Sequence, residues 1–236
     1  MNPEIILLHY TGMATGQGAE DWLCNPESGV SCHYIVHEDG RVVQMVREAD
    51  RAWHAGKSVW HGETDVNSQS VGIEIVNPGH GLGYPAFPRR QIRSVIALCR
   101  GIAARHAIRP AMVLAHSDVA PGRKVDPGEK FPWTVLARGG VGHLVAPSRR
   151  RRGSSLRAGD ASEAVAALQR MLGLYGYGIE ITGIFDARTV IVVEAFQRHF
   201  RRSRVDGMAD PATVETLRRL LGTLPLPLGK VQAKIR

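Results

Sequence analysis

The chain has 236 residues, 44% of them hydrophobic and 22% charged, with a formal net charge of +8 and a pI near 9.9. Those values suit a folded protein with room for an enzyme-sized domain and a small second one, and they exclude an intrinsically disordered chain. The positive balance favours a polyanionic partner, and nucleic acid, anionic lipid and anionic wall polymer all qualify.

Three cysteines, Cys24, Cys32 and Cys99, form no CxxC pair and are odd in number. That argues against a disulfide framework and against a Cys-rich structural zinc site. No basic segment followed by an apolar one precedes the first strand pattern, and no transmembrane span is legible. The expectation is a monomer in the cytoplasm, with periplasmic or wall-associated action as the alternative.

In chain order, Ile5-Ile6-Leu7-Leu8 is a short apolar run ending at His9 and reads as a buried strand. A helix starting near Gly18 takes in Trp22 and Leu23. The runs His33 to Val36 and Val42 to Val46 flank Asp39-Gly40, a strong hairpin signal because glycine accepts the positive φ of the turn. Ala52 to Gly56 and Ser58 to Gly62 read as an irregular, aromatic-rich loop. Val71 to Val76 alternates as a strand with Glu74 in its middle, and Pro78 to Pro88 is a long Pro- and Gly-rich connection. Ile92, Val95, Ile96, Cys99, Ile102 and Ala103 recur at helical spacing, with Pro88 near the helix start. Ala111 to Ala115 is a further apolar strand, opening into the loop-like segment His116 to Gly128, HSDVAPGRKVDPG.

Beyond Trp133 the pattern changes. Residues 139–158 hold Gly-Gly, Pro-Ser, the run Arg149 to Arg152 and Gly-Ser-Ser, and read as an interdomain linker. The arginine run reads first as a solvated linker and second as a dedicated anion site. Residues 159–223 then carry three helical stripes: Val165, Leu168, Leu172 and Tyr175; Thr189, Val193, Phe196 and Phe200; and Val214, Leu217 and Leu221. Asp160, Asp186 and Asp210 stand at N-cap positions, with Pro211 suited to a first helical turn. The stretches Thr182 to Asp186 and Val205 to Asp210 mirror each other, which points to an internal duplication. Residues 224–236 read as a loosely ordered tail.

Two histidines and a carboxylate with one open position is the pattern of catalytic zinc, and His9, His116 and Asp126 offer that set. Such a metal polarises a carbonyl and lowers the pKa of water bound to it towards ~7. Spacing alone leaves two readings open, a metal set or ordinary polar loop residues, because no HExxH-type motif is present. Glu74 is either on a solvated strand face or placed to move a proton. Lys124 is either solvated or placed to stabilise an oxyanion.

Five segments occur together in order: Ile6-Leu7-Leu8-His9-Tyr10-Thr11, Ser31-Cys32-His33-Tyr34, Ala52-Trp53-His54-Ala55-Gly56, Val71-Gly72-Ile73-Glu74-Ile75, and His116 through Gly128. In this they resemble the zinc N-acetylmuramoyl-L-alanine amidases of the amidase-2 family, the group related to phage T7 lysozyme and to peptidoglycan recognition proteins. The resemblance covers roughly residues 1–137. Asp126 in the third ligand place and Cys32 where the phage type has a tyrosine put the chain nearest the AmpD and AmiD branch. Gly159-Asp160, Leu168-Gln169, Gly183 to Asp186, Phe196-Gln197 and Val205 to Gly207 resemble the type 1 peptidoglycan-binding domain.

The resemblance implies an α/β fold with a mixed central sheet flanked by helices over residues 1–138, and a small all-α three-helix domain over 159–223. It implies a hydrolase that cuts the amide between N-acetylmuramic, or 1,6-anhydro-N-acetylmuramic, acid and L-alanine of the stem peptide. Zn2+ would sit on His9, His116 and Asp126, with Glu74 as general base and acid and Lys124 at the oxyanion. Trp53, His54 and Asn77 are candidate substrate contacts. The partners are peptidoglycan or muropeptides. The rival readings are a non-catalytic recognition protein, a phage-type endolysin, and a nucleic-acid binder. The last lacks any helix-turn-helix, RNP-like or zinc-finger pattern to accompany the charge.

Overall fold

The structure, a computed structural model, describes residues 1–146, 148 and 153–224. The run Arg149 to Arg152 and residues 225–236 of the expected tail lie outside the described residues. Five strands form one sheet: β1 (Ile5–Tyr10), β2 (Tyr34–Val36), β3 (Val42–Gln44), β4 (Ser70–Ile75) and β5 (Val113–Ala115). Their order is β3-β2-β4-β1-β5, parallel throughout except for β3, which closes a hairpin on β2. Ile5, Ile6, Leu7 and Leu8 are all buried because β1 lies inside a parallel sheet covered on both faces, which explains the unbroken apolar run. The Asp39-Gly40 turn is the expected one, with Gly40 at φ +92 and the Asp39 carboxylate accepting from the Arg41 N–H at 2.8 Å.

The helices of the first part are α1 (Gly16–Cys24), α2 (Val66–Gln69), α3 (Arg89–His106), α4 (His116–Val119) and α5 (Trp133–Arg138). Pro88 precedes α3 as its N-cap, and α3 buries Ile92, Val95, Cys99 and Ile102. It also buries Gln91, whose amide donates to the carbonyls of Val36 at 3.1 Å and Val76 at 2.8 Å. That one side chain ties the carboxyl ends of β2 and β4 to the helix, adding a second donor to the Val36 carbonyl, which also accepts from the Val76 N–H at 2.9 Å.

Two elements depart from expectation. β5 is shorter than Ala111 to Ala115, because Pro110 starts a 3-10 turn that runs to Met112. The first four residues of the HSDVAPGRKVDPG segment are a helical turn, α4, since Asp118 accepts from the Ala115 N–H at 2.8 Å and holds its start.

Three helices follow: α6 (Glu163–Tyr175), α7 (Ala187–Phe200) and α8 (Pro211–Gly222). Asp186 and Asp210 cap α7 and α8, but α6 is capped by Ser162. Asp160 instead accepts from the Arg157 N–H at 2.9 Å, bracing the preceding turn. In α8 the buried stripe is Thr213, Thr216, Leu217 and Leu220, while Val214 and Leu221 flank it half-buried. The duplication is physical. Gln169 accepts from the Gly183 N–H at 2.9 Å and donates to the Ile184 carbonyl at 2.9 Å. Gln197 accepts from the Gly207 N–H at 3.0 Å and donates to the Met208 carbonyl at 2.9 Å. Each glutamine staples its helix to the glycine turn feeding the next capped helix.

One apolar core runs from the sheet into these helices, through Trp60, Phe131 and Trp133 to Tyr175, Tyr177 and Phe200. The segment leading there is also packed: Val141 is buried, and the His143 ring bonds the Tyr175 hydroxyl at 2.9 Å.

Gln197→Leu keeps the volume but strands the buried Gly207 N–H and the Asp206 N–H, both of which bond Oε1 at 3.0 Å. The expected cost is about 2–4 kcal/mol, read as a fall in the urea midpoint at unchanged m-value.

Candidate active site

Strand register assembles the site. Leu8 is paired with Ala115 across β1 and β5, so the next residue on each chain, His9 and His116, emerge side by side. On the other side of β1, His9 is paired with Glu74 of β4. All three groups therefore reach the carboxyl edge of parallel strands, where α/β sheets expose their clefts. Asp126 is returned by the turn at Pro121-Gly122, with Gly122 at φ +80, and is pinned when its carbonyl accepts from the Ser117 N–H at 3.0 Å.

His9 Nδ1 and His116 Nδ1 lie 2.9 Å apart, and Asp126 Oδ2 lies 3.2 Å from the first and 3.0 Å from the second. All three side chains are buried. The outer ring nitrogens assign the tautomers. His116 Nε2 lies 3.0 Å from the Ala55 carbonyl, a pure acceptor, and in the tautomer that donates there its Nδ1 carries the lone pair. His9 Nε2 donates to His54 Nδ1 at 3.1 Å, and His54 Nε2 donates to Ser70 Oγ at 3.4 Å, whose hydroxyl donates to the Val66 carbonyl at 2.6 Å. Two lone pairs and a carboxylate oxygen then converge on one point with their orientation fixed from behind. Converging donors oriented in this way are a set that could hold a metal ion.

The electrostatics agree. Burial and the neighbouring His116 bring the pKa of His9 down to about 4 against the pull of Asp126, so its lone pair is free at neutral pH. Burial raises Asp126, but His116 and His9 outweigh it and hold the carboxyl well below the usual carboxylate range. Glu74 is the opposite case. Burial and then the Asp126 charge push it well above the ordinary glutamate value, with Lys124 opposing them. Its Oε2 is buried and has no hydrogen-bond partner among the described residues. An orphaned carboxylate oxygen beside a triad of ligand atoms is available to take and release a proton.

These groups line a cleft of about 370 Å³. His116, Asp126, Glu74 and His54 line it together with Lys124 and Arg123. Trp22, Val30 and Trp53, all exposed, contribute apolar walls. Trp53 is 56% exposed and carries the Arg51 guanidinium 4.2 Å from its ring centre.

His54 sits deeper than a simple wall contact, buried with both ring nitrogens engaged. Its seat depends on Gly72, where an added Cβ would lie 2.4 Å from the ring. Asn77 does not line the cleft. It is buried, accepting from the Gly79 N–H at 2.9 Å and donating to the Pro85 carbonyl at 3.0 Å, so it braces the loop after β4.

Three contributors carried no sequence signal of their own. Arg123 donates to the carbonyls of Ala55 at 2.5 Å and Lys57 at 3.0 Å, fixing the segment that holds His116. Trp22 and Val30 become cleft walls only because α1 and the turn after it fold over the strand ends.

Among the described residues, no helix is long and apolar enough to cross a membrane. Residues 1–129 match the family described as N-acetylmuramoyl-L-alanine amidase, and residues 161–217 match a family of peptidoglycan binding domains. The chain is 36% identical over 228 residues to the N-acetylmuramoyl-L-alanine amidase AmiD of Escherichia coli strain K12, covering 89% of this chain and 79% of that protein. A solved complex of E. coli AmiD with anhydro-N-acetylmuramic acid-L-Ala-D-gamma-Glu-L-Lys superposes with a TM-score of 0.79 at 33% identity, covering 94% of this chain and 90% of that one. AmpDh3 of Pseudomonas aeruginosa, in complex with anhydromuramic pentapeptide, superposes with a TM-score of 0.76 at 29% identity, covering 92% of this chain and 91% of that one. The chain belongs to the N-acetylmuramoyl-L-alanine amidase family, with a helical module of the peptidoglycan-binding type following the catalytic part.

Proposed function

We propose that this chain hydrolyses the amide between N-acetylmuramic acid, intact or in its 1,6-anhydro form, and the L-alanine of a stem peptide, using a zinc ion held by His9, His116 and Asp126. The observation that carries this reading is the meeting of those three buried ligand atoms, within 4.8 Å of one another, beside the unpartnered oxygen of Glu74. In this reading residues 1–138 are the catalytic domain and residues 159–223 the wall-binding module. The substrate class is carried over from the muropeptides bound by the relatives AmiD and AmpDh3.

Zinc in that position supplies Lewis-acid polarisation of the scissile carbonyl and acidifies water. The chain's own groups do the rest. Glu74 takes a proton at its free carboxylate oxygen as water attacks, then returns it to the departing α-amine of alanine. Its raised pKa makes the carboxylate the stronger base, and the acid so formed, though weaker, keeps its proton near neutral pH until the more basic amine takes it. Lys124 faces the same cleft and offers a positive charge to the carbonyl oxygen as that oxygen becomes negative. Trp53 and Trp22, which line the same cleft, give apolar surface against which a sugar ring and a lactyl group can lie. His54 acts from behind, holding His9 in the tautomer whose lone pair faces the metal.

Mass spectrometry of products from purified muropeptides, with and without the anhydro end, tests the reaction directly. Release of free stem peptide, abolished by a chelator and restored by zinc, is the expected result; intact muropeptide under all conditions would refute it. Glu74→Ala is expected to keep one zinc per chain while losing about 10²–10⁴-fold in kcat. His116→Ala is expected to lose both metal and turnover, as read by elemental analysis alongside the assay.

Glu74 also predicts a pH dependence of stability in the metal-free protein. Its folded pKa is raised, so its contribution is intact below the ordinary glutamate value and is lost as pH rises through the folded value. Metal-free Glu74→Gln is therefore expected to melt higher than metal-free wild type at neutral pH, the two converging in acid.

A further inference from the structure

Asp118 is completely buried two residues beyond His116, and nothing in the catalytic reading uses it. Its Oδ2 accepts from the Ala115 N–H at 2.8 Å and from His199 Nδ1 at 2.7 Å, and its Oδ1 accepts from the Tyr177 hydroxyl at 2.7 Å. A carboxylate only accepts, so all three partners donate. The first donor is the last residue of β5, immediately before His116. The other two come from the helical module. Without them a buried carboxylate two residues from a ligand histidine would keep one partner of three, the Ala115 N–H, and would be left underpaired in an apolar setting.

The two module residues are themselves held. The His199 ring stacks against Trp133 of α5 at 3.7 Å between centres and 23°, and on its other side against Phe200 at 3.9 Å and 9°. Tyr177 pairs with Trp60 as an antiparallel bridge, with its ring edge-on to the indole at 5.1 Å, and the His61 N–H bonds the Gly176 carbonyl at 2.8 Å. The surfaces meet without slack. A Cβ at Gly176 would lie 2.4 Å from the Trp60 ring, and one at Gly178 would lie 2.3 Å from Val59. Such a fit is that of a domain core, whereas a tethered module needs only a few polar contacts.

We infer that Tyr177 and His199 are positioning residues of the amidase site, holding Asp118 so that β5 delivers His116 to the metal in the right place. The helical module thereby completes the frame of the active site, apart from any wall contact it makes. This inference rests on the reading of His9, His116 and Asp126 as a zinc set.

The test uses the full chain. Zinc affinity is measured by competition with a chromophoric chelator, next to thermal melting and muropeptide hydrolysis, for wild type, His199→Leu, His199→Asn, Tyr177→Phe and Gln197→Leu. His199→Leu and Tyr177→Phe are expected to weaken zinc binding about tenfold, the lower end of the loss from removing outer partners of a metal site. They are also expected to lower kcat with KM little changed. His199→Asn keeps an N–H near the place of Nδ1 and is expected to recover most of that affinity. Gln197→Leu loosens the module without touching Asp118; it should melt earlier yet bind zinc as wild type does. Should His199→Leu fail to fold, Tyr177→Phe, lacking a single hydroxyl, decides alone. Wild-type zinc affinity in both His199→Leu and Tyr177→Phe, or an equal loss in Gln197→Leu, overturns the inference while leaving the zinc reading standing. A wild-type chain that takes up no zinc overturns both.

Discussion

The pairing of β1 with β4 on one side and β5 on the other sets everything else in this molecule. With Leu8 opposite Ala115 and His9 opposite Glu74, two imidazoles and a carboxylate meet at one sheet edge with no loop needed to bring them there. A slip of one residue in either ladder would turn His9 or Glu74 to the other face, because side chains alternate along a strand. The alternation of β4 resists that slip, since it would exchange the buried Val71, Ile73 and Ile75 for Gly72 and Glu74. Core packing and the catalytic geometry are thus one constraint.

Around that edge the chain spends polar groups on holding positions. Gln91 gathers the carbonyls at the ends of β2 and β4, Arg123 gathers those of Ala55 and Lys57, and His54 backs His9 through a chain ending at Val66. The donors of all three are engaged, although the Gln91 Oε1 is buried without a partner. Glu74 Oε2, lining the cleft itself, is also buried without a partner, which leaves it open to a group in the cleft.

What was legible in the sequence followed local chemistry. Apolar runs gave the strands, Asp39-Gly40 the hairpin, and Asp186 and Asp210 the helix starts, because each depends on neighbours within a few residues. The mirrored glycine turns at 183 and 207 showed the duplication for the same reason. Long-range facts were out of reach. The strand order β3-β2-β4-β1-β5 joins segments over a hundred residues apart, and the motif set as a whole implied a mixed central sheet but not this order. The turn α4 is too short to show a period, so HSDV passed for loop. His54 and Asn77 are polar residues beside a site, and their sequence cannot say whether they face substrate or brace the backbone. Asp160 lost the α6 cap to Ser162 because a second good capping residue stands two positions on.

The site is also a place where folding works against itself. His9 is driven down to about 4, Glu74 is driven up, and two imidazole nitrogens face each other at 2.9 Å. Each is a cost that the apolar core has to offset in the metal-free chain. A cation seated between the ligand atoms reverses the sign of several of these terms at once, because lone pairs and carboxylates that repel one another are all attracted to it. Ligand linkage sets the size of the effect: at a free concentration 1,000 times the dissociation constant, binding adds about 4 kcal/mol to the folded state. Those strained groups sit on strands that also carry the core, and the turn after β5 is braced by the helical module through Asp118. Stabilisation gained from a cation held there would therefore bear on the strands and, through Asp118 and the shared apolar core, on the helices as well.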